Sequence, residues 1–293
     1  MNTPIDVVDL VIAPRKQSLM GLPIRRVLPW RGQRHCGPFV FLDHMGPHTL
    51  APGEGLDVPP HPHIGLSTLT WLYAGQFEHR DSLGSVQIIR PGEVNWMTAG
   101  RGIVHSERSP DDERAAESHV EGLQFWVAQP QSAETGEPRF EHHAREQLPT
   151  WQDEQASWTL IAGQWQQQRS PVQVESELAL LDVRTQRAGS LELPSQGSDW
   201  EWGLYPLSGA VQWQGQPLPQ YHLGVTNQAV TFSWQADSHF VLFGGRTLGA
   251  RRIDWNFVAT NDALIDQARR DWQAHRFPPV PGDAGYVPYP GND

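Results

Sequence analysis

Residues 59–107 read PPHPHIGLSTLTWLYAGQFEHRDSLGSVQIIRPGEVNWMTAGRGIVHSE, and the class of the molecule follows from this stretch. Leu66 to Tyr73 is β-branched and aromatic and stops at Ala74-Gly75, which is the composition of a strand ended by a turn. Ser85 to Arg90 is a second run, closed by the turn dipeptide Pro91-Gly92. Val94 to Thr98 and Ile103 to Glu107 follow, separated by Gly100-Arg101-Gly102. Short strands at this spacing, with no amphipathic helix between them, indicate a sandwich or barrel rather than βαβ units.

Outward from this block, Gly122 to Ala128 continues the pattern, while residues 108–121 are charged and read as a solvated loop with room for a helical turn. Residues 130–158 are rich in Pro, Gln, Glu and His and read as the connection between two halves. Further β-like runs come after it: Trp158 to Ala162, Leu178 to Val183, Glu201 to Leu207, Ala210 to Gln214, Ala229 to Trp234 and His239 to Phe243. A length of 293 residues suggests about two domains, and the expected division is 1–135 and 136–293. The high counts of turn residues (27 Gly, 25 Pro) and of Trp (13) agree with an all-β chain. One helix is predicted within 261–276, where Leu264, Ile265, Ala268 and Trp272 fall near helical spacing behind Thr260 or Asn261 as cap. Phe277-Pro278-Pro279 ends it, and residues 279–293 form an extended arm.

Charge and composition exclude several functions. With 22 Lys+Arg against 33 Asp+Glu the net charge is −11, and no basic run is present, so direct nucleic-acid binding is not expected. The mean hydropathy is −0.50, and no apolar stretch approaches the roughly 20 residues of a membrane-spanning helix. The opening MNTPIDVVDLVIAPRK lacks the basic start and apolar run of a signal peptide. The lone cysteine, Cys36, rules out an intramolecular disulfide and thiolate metal clusters, and it reads as a small buried filler. Together these features lead us to expect a cytoplasmic protein.

Two short motifs carry chemistry: His61-Pro62-His63 and His105-Ser106-Glu107. In each, ligand-type residues stand at i and i+2, so on a strand both point to one face. Two such pairs facing each other would offer three imidazoles and one carboxylate to a single ion. That set suits a divalent iron, nickel, copper, manganese or zinc ion and leaves positions open if the ion is octahedral. A structural zinc site closes its shell, often with thiolates this chain does not have.

The block resembles a known family. Gly55-x5-His61-x-His63 followed by Gly75 resembles the first metal-binding motif of cupins, and Gly102-x2-His105 resembles the second. Residues 59–107 as a whole are similar to the pirin family in particular. FVFLDHMGP (39–47), GLQFWVAQP (122–130) and WNFVATNDALIDQARRDWQAHRFPPVPGD (255–283) extend the likeness over most of the chain. The resemblance implies a bicupin: two tandem antiparallel β-barrels of jelly-roll type with a short C-terminal helix, only the N-terminal one binding metal. It implies His61, His63, His105 and Glu107 as metal ligands, with Glu107 also as catalytic base. The ion expected by resemblance is Fe(II), with Ni, Mn, Co, Cu and Zn open. The implied activity is cleavage of quercetin-type flavonols by O₂ with release of CO, on a small aromatic or enol substrate. The alternative from the same family is an iron-dependent redox-sensing regulator that acts through a protein partner. One departure is that Ile64 and Ser67 stand where the family often has Arg and Glu.

Other polar residues have plainer expectations. His79 and Asp81 stand where they could line the mouth of a pocket, and a solvated hairpin tip is the preferred reading. Asp43 and His44 read equally as turn-stabilising or as orienting a ligand histidine. His142-His143 is assigned no role, and His222 and His239 are isolated. Trp71, Trp96, Phe125 and Trp126 could wall an aromatic pocket, with core packing as the default reading, and Arg101 could attract an anionic substrate but reads first as surface.

Overall fold

Residues 10–291 are described in the computed structural model. Residues 1–9, part of the opening stretch read above as unlike a signal peptide, lie outside them, as do residues 292 and 293 of the arm. The β-rich runs form strands: Leu66–Ala74, Val86–Ile89, Val94–Thr98, Ile103–Arg108 and Ser118–Ala128, then Ala156–Trp165, Leu178–Thr185, Trp200–Ser208, Val211–Trp213, Val230–Trp234 and His239–Arg246. Among the described residues no helix is long and apolar enough to cross a membrane.

The expected pair of barrels does not form. A seven-stranded sheet runs Arg139–His143, Val94–Thr98, Leu66–Ala74, Ser118–Ala128, Phe39–Leu50, Leu22–Leu28, Arg15–Leu19. A separate four-stranded sheet runs Asp57–His63, Ile103–Arg108, Phe77–Asp81, Val86–Ile89. The later part of the chain repeats the plan with an eight-stranded and a four-stranded sheet. No sheet closes on itself, so the arrangement is an all-β bicupin of open sheets. The edge strand Asp57–His63 shows one physical reason. It carries Pro59, Pro60 and Pro62, which have no N–H to extend a ladder. Alternation in a sequence reports which face is buried and not whether the hydrogen bonding closes.

The chain divides into two compact units. One gathers the stretch ending at Arg15, Val27–Val40 and Glu146–Thr247; the other gathers Lys16–Arg26, Phe41–Arg145 and the stretch from Leu248 onward. In the second of these, Leu22, Ile24, Met45, Leu72 and Val120 of the wide sheet pack with Val58, Phe77 and Ile89 of the narrow sheet, so the two sheets face each other across one core. In the other unit an aromatic core joins Trp158, Trp200, Trp202, Trp213, Phe232, Trp234 and Phe240.

Two local expectations change. Within 130–158, the strand Arg139–His143 pairs antiparallel with Val94–Thr98, so part of the supposed connection belongs to the wide sheet. Its charged, histidine-rich text hid the alternation. Within 108–121, the helical turn allowed for is present as Asp111–Arg114, but the strand expected from Gly122 already starts at Ser118.

The C-terminal helix spans Asp262–Gln273, with the Asn261 side chain accepting from the Leu264 N–H at 3.1 Å. It buries Ile265, Ala268 and Trp272. The arm folds back along it: the Trp272 indole N–H donates to the Val287 carbonyl at 2.9 Å, and the ring stacks on Tyr286 at 4.5 Å between centroids. Trp272→Ala is expected to cost about 3–5 kcal/mol of stability in urea unfolding, whereas Asn261→Ala costs about 1 kcal/mol. Equal costs would contradict this account of how the helix is anchored.

Candidate metal centre

The narrow sheet builds the site through its register. His61 lies opposite His105, and His105 lies opposite Asp81. Glu107 lies opposite His79. Directly paired residues share a face, and the i, i+2 spacing keeps His63 with His61 and Glu107 with His105 on that face. The pairing between Asp57–His63 and Ile103–Arg108 slips by one residue, since His105 faces His61 but Glu107 faces Val58. This is a bulge at Pro59-Pro60. It turns the Pro59 carbonyl to accept the Nδ1–H of His61 at 2.9 Å.

His63 is fixed from the other end of the chain. Its Nδ1–H donates to the backbone carbonyl of Asn256 at 3.1 Å. Asn256 sits in the turn between Arg252–Asp254 and Phe257–Ala259. That hairpin comes close because Gly65, at φ +65°, has no side chain: a Cβ there would lie 2.0 Å from the Val258 carbonyl oxygen. Ile64 packs with Val104 and Phe257 beside it, so the position where the family often has Arg is apolar packing here. Ser67 donates its hydroxyl to Thr98 at 3.2 Å.

The three histidines converge. His61, His63 and His105 each offer a ligand atom within 4.8 Å of the others, and all three are buried. Their ring centroids are 4.3 to 5.1 Å apart. Carbonyls can only accept, so His61 and His63 carry their protons on Nδ1 and present bare Nε2 lone pairs. The His63 and His105 Nε2 atoms are 3.2 Å apart. Two nitrogens bound to one ion at roughly 2.0–2.1 Å would be separated by about 3.0–3.4 Å, so the donor set fits a divalent cation. Burial pushes His61 down to about 4, and it pushes His63 and His105 well below their ordinary range. The neutral form that coordinates metal is therefore the resting form.

Glu107 is half-buried and lies outside that mutually close set of ligand atoms. Burial raises its carboxyl to about 7, against the opposing effect of a hydrogen bond from the Thr70 hydroxyl at 3.4 Å. The same hydroxyl, with its one proton, lies 2.8 Å from the Gln124 Oε1, so the two oxygens compete for it. Across the gap, the wide sheet presents two rows. Phe140, Met97, Thr68 and Trp126 are in register as one, and His142, Asn95, Thr70 and Gln124 as the other. Trp126 stands edge-on to His63 at 5.2 Å and stacks on Phe41 at 4.0 Å. Trp71, Trp96 and Phe125 alternate with these positions on the opposite face, as core.

The remaining candidates separate clearly. His79 and Asp81 do not form a solvated tip: their exposures are 4% and 0%. The His79 Nε2 and Asp81 Oδ2 are 3.0 Å apart, and the His79 Nδ1 lies 3.4 Å from the His105 Nδ1. Burial alone would raise Asp81, but hydrogen bonding and charge from His79, with the Ser85 contacts, hold it below the ordinary carboxylate range. Their i, i+2 spacing on Phe77–Asp81 matches that of the two motifs, and it was the signal available. Asn256 contributes only a carbonyl and left no side-chain signal. Asp43 is held by Arg26 in a two-pronged pair at 2.9 and 2.8 Å. His142 meets the Asn95 Oδ1 at 2.8 Å, Arg101 pairs with Glu137 at the surface, and Cys36 is buried.

An open-sheet bicupin with a buried three-histidine centre is thus what the chain forms. Residues 21–127 match the family model described as Pirin, and residues 180–278 match the Pirin C-terminal cupin domain. A pirin-like protein of Caulobacter vibrioides is 40% identical over 290 residues, covering 97% of this chain and 100% of that one. A pirin-like protein of Solanum lycopersicum is 30% identical, covering 93% and 92%. The crystal structure of a quercetin 2,3-dioxygenase from Acinetobacter baumannii superposes with a TM-score of 0.88 at 34% identity, covering 96% of this chain and 95% of that one. The chain belongs to the pirin family.

Equilibrium dialysis against cobalt(II) is expected to show tight binding that His63→Ala and His105→Ala each weaken by more than the roughly 10–100-fold typical of losing an outer partner. His142→Ala and His143→Ala should leave it unchanged. Binding that survives both ligand substitutions would place the ion elsewhere.

Proposed function

We propose that this chain is a metal-dependent enzyme of the quercetin 2,3-dioxygenase type, which opens flavonols with O₂ and releases carbon monoxide, with His61, His63, His105 and Glu107 holding the ion. One observation carries it: three neutral imidazoles meet at one buried point, on the sheet face that also carries the half-buried Glu107 carboxyl, and opposite a row that includes Trp126 and Phe140. The likeness to the Acinetobacter baumannii quercetin 2,3-dioxygenase supports the substrate class. The ion proposed is Fe(II), taken from the family likeness; the imidazole-rich donor set also accommodates Ni, Mn, Co, Cu or Zn.

When bound, the ion supplies Lewis acidity that lowers the pKa of a flavonol hydroxyl. The protein supplies the rest. Neutral His61, His63 and His105 leave the charge of the site undiminished. Glu107 takes the hydroxyl proton as general base, a role suited to a carboxyl raised to about 7 with the Thr70 hydroxyl beside it. Trp126, backed by Phe41, offers a flat apolar surface for a planar ring and keeps water out. A cytoplasmic setting belongs to the same proposal.

Protein reconstituted separately with each metal is expected to consume quercetin and O₂ and to release carbon monoxide with at least one of them. Glu107→Gln should lower kcat by about 10²–10⁴-fold. Undiminished turnover in Glu107→Gln would overturn its role as base, and no turnover with any metal would overturn the flavonol assignment.

A further inference from the structure

Beside the three histidines lies a second pair of buried polar side chains that metal ligation and proton transfer leave unused. We propose that Asp81 and His79 are positioning residues that fix the tautomer of His105 and strengthen it as a ligand, through the chain Asp81–His79–His105. This inference rests on the metal-centre assignment and adds to it a determinant of metal affinity.

The direction of every hydrogen bond in the chain is dictated. An ion at the Nε2 of His105 requires the His105 proton on Nδ1. That N–H points at the Nδ1 of His79, 3.4 Å away, which must then be the acceptor. The proton of His79 is left on Nε2, 3.0 Å from the Asp81 Oδ2. A carboxylate can only accept, so Asp81 ends the chain and fixes its sense. The opposite sense in neutral rings would set the His79 Nε2 lone pair against the Asp81 oxygen, out of water, at the cost of an unmade buried hydrogen bond.

Both residues are held for this task. The Asp81 Oδ1 accepts from the backbone N–H groups of Leu83 and Ser85 at 2.9 and 3.0 Å, so Oδ2 is left for His79. The His79 ring lies flat on Phe140 at 4.2 Å and 11°, which sets its plane. His61 and His63 have carbonyl partners at Nδ1, and His105 has none there; His79 fills that place. A carboxylate at the end of such a chain draws the Nδ1 proton outward and raises the donor strength of the ligating nitrogen.

The test is Asp81→Asn, nearly identical in shape. Its amide oxygen stays with the Leu83 and Ser85 N–H groups, so its NH₂ faces the His79 Nε2–H, and donor meets donor. By chelator competition, the substitution is expected to weaken cobalt(II) binding by about 10–100-fold and to shift the cobalt d–d absorption bands, while the metal-free protein melts as wild type does. His79→Leu should weaken cobalt(II) binding to a similar extent, with an added loss of stability from leaving the buried Asp81 carboxylate without its partner. His79→Gln, which can accept and donate at once, should recover part of the affinity. The His79 pair carries the same test if Asp81→Asn disturbs the turn. Wild-type affinity and spectrum in Asp81→Asn, or equal losses in His79→Gln and His79→Leu, would overturn the relay alone. Absence of cobalt binding by the wild-type protein would overturn the metal-centre assignment and the relay with it.

Discussion

The pairing of His61 with His105 across two adjacent antiparallel strands is the constraint on which the rest of the site depends. Register in a sheet is quantised: a slip of one residue turns each side chain to the other face. Here the register is pinned by the bulge at Pro59-Pro60, which absorbs one residue and leaves both motifs facing inward. The same bulge supplies the carbonyl that fixes His61. One local irregularity thus sets both the direction and the tautomer of His61.

Desolvation gives the arrangement its chemistry. Removing three imidazoles from water suppresses their protonation, and removing Glu107 from water raises its carboxyl to about 7. The same low-dielectric space makes bare lone pairs costly unless something cationic meets them. A buried cluster of acceptors therefore both prefers a metal and excludes competing protons. The C-terminal segment contributes to this enclosure: the Asn256 carbonyl holds His63, and Arg108 is gripped by Asp283 of the arm at 2.7 and 3.0 Å, just beyond Glu107.

Much of this was legible in the sequence, for reasons that differ by residue. The i, i+2 spacing of His61/His63 and His105/Glu107 maps directly onto one strand face, and strand periodicity is local information. The helix Asp262–Gln273 was legible through its cap and apolar spacing. Closure of a sheet is a long-range property with no local pattern, and this is why open sheets could pass for barrels. His79 and Asp81 looked solvated because their charged neighbours Glu78 and Arg80, which alternate with them along the strand, suggested a polar tip. The Asn256 carbonyl could not be read at all, since every residue has one and only the fold brings this one to His63.

The most direct test of the metal centre is X-ray absorption at the metal edge of the reconstituted protein, which counts imidazole nitrogens around the ion. Three imidazoles with oxygen ligands completing the shell are expected, falling to two in His61→Ala. Fewer than three in the wild-type protein, or a shell unchanged by His61→Ala, would contradict a centre built on His61, His63 and His105.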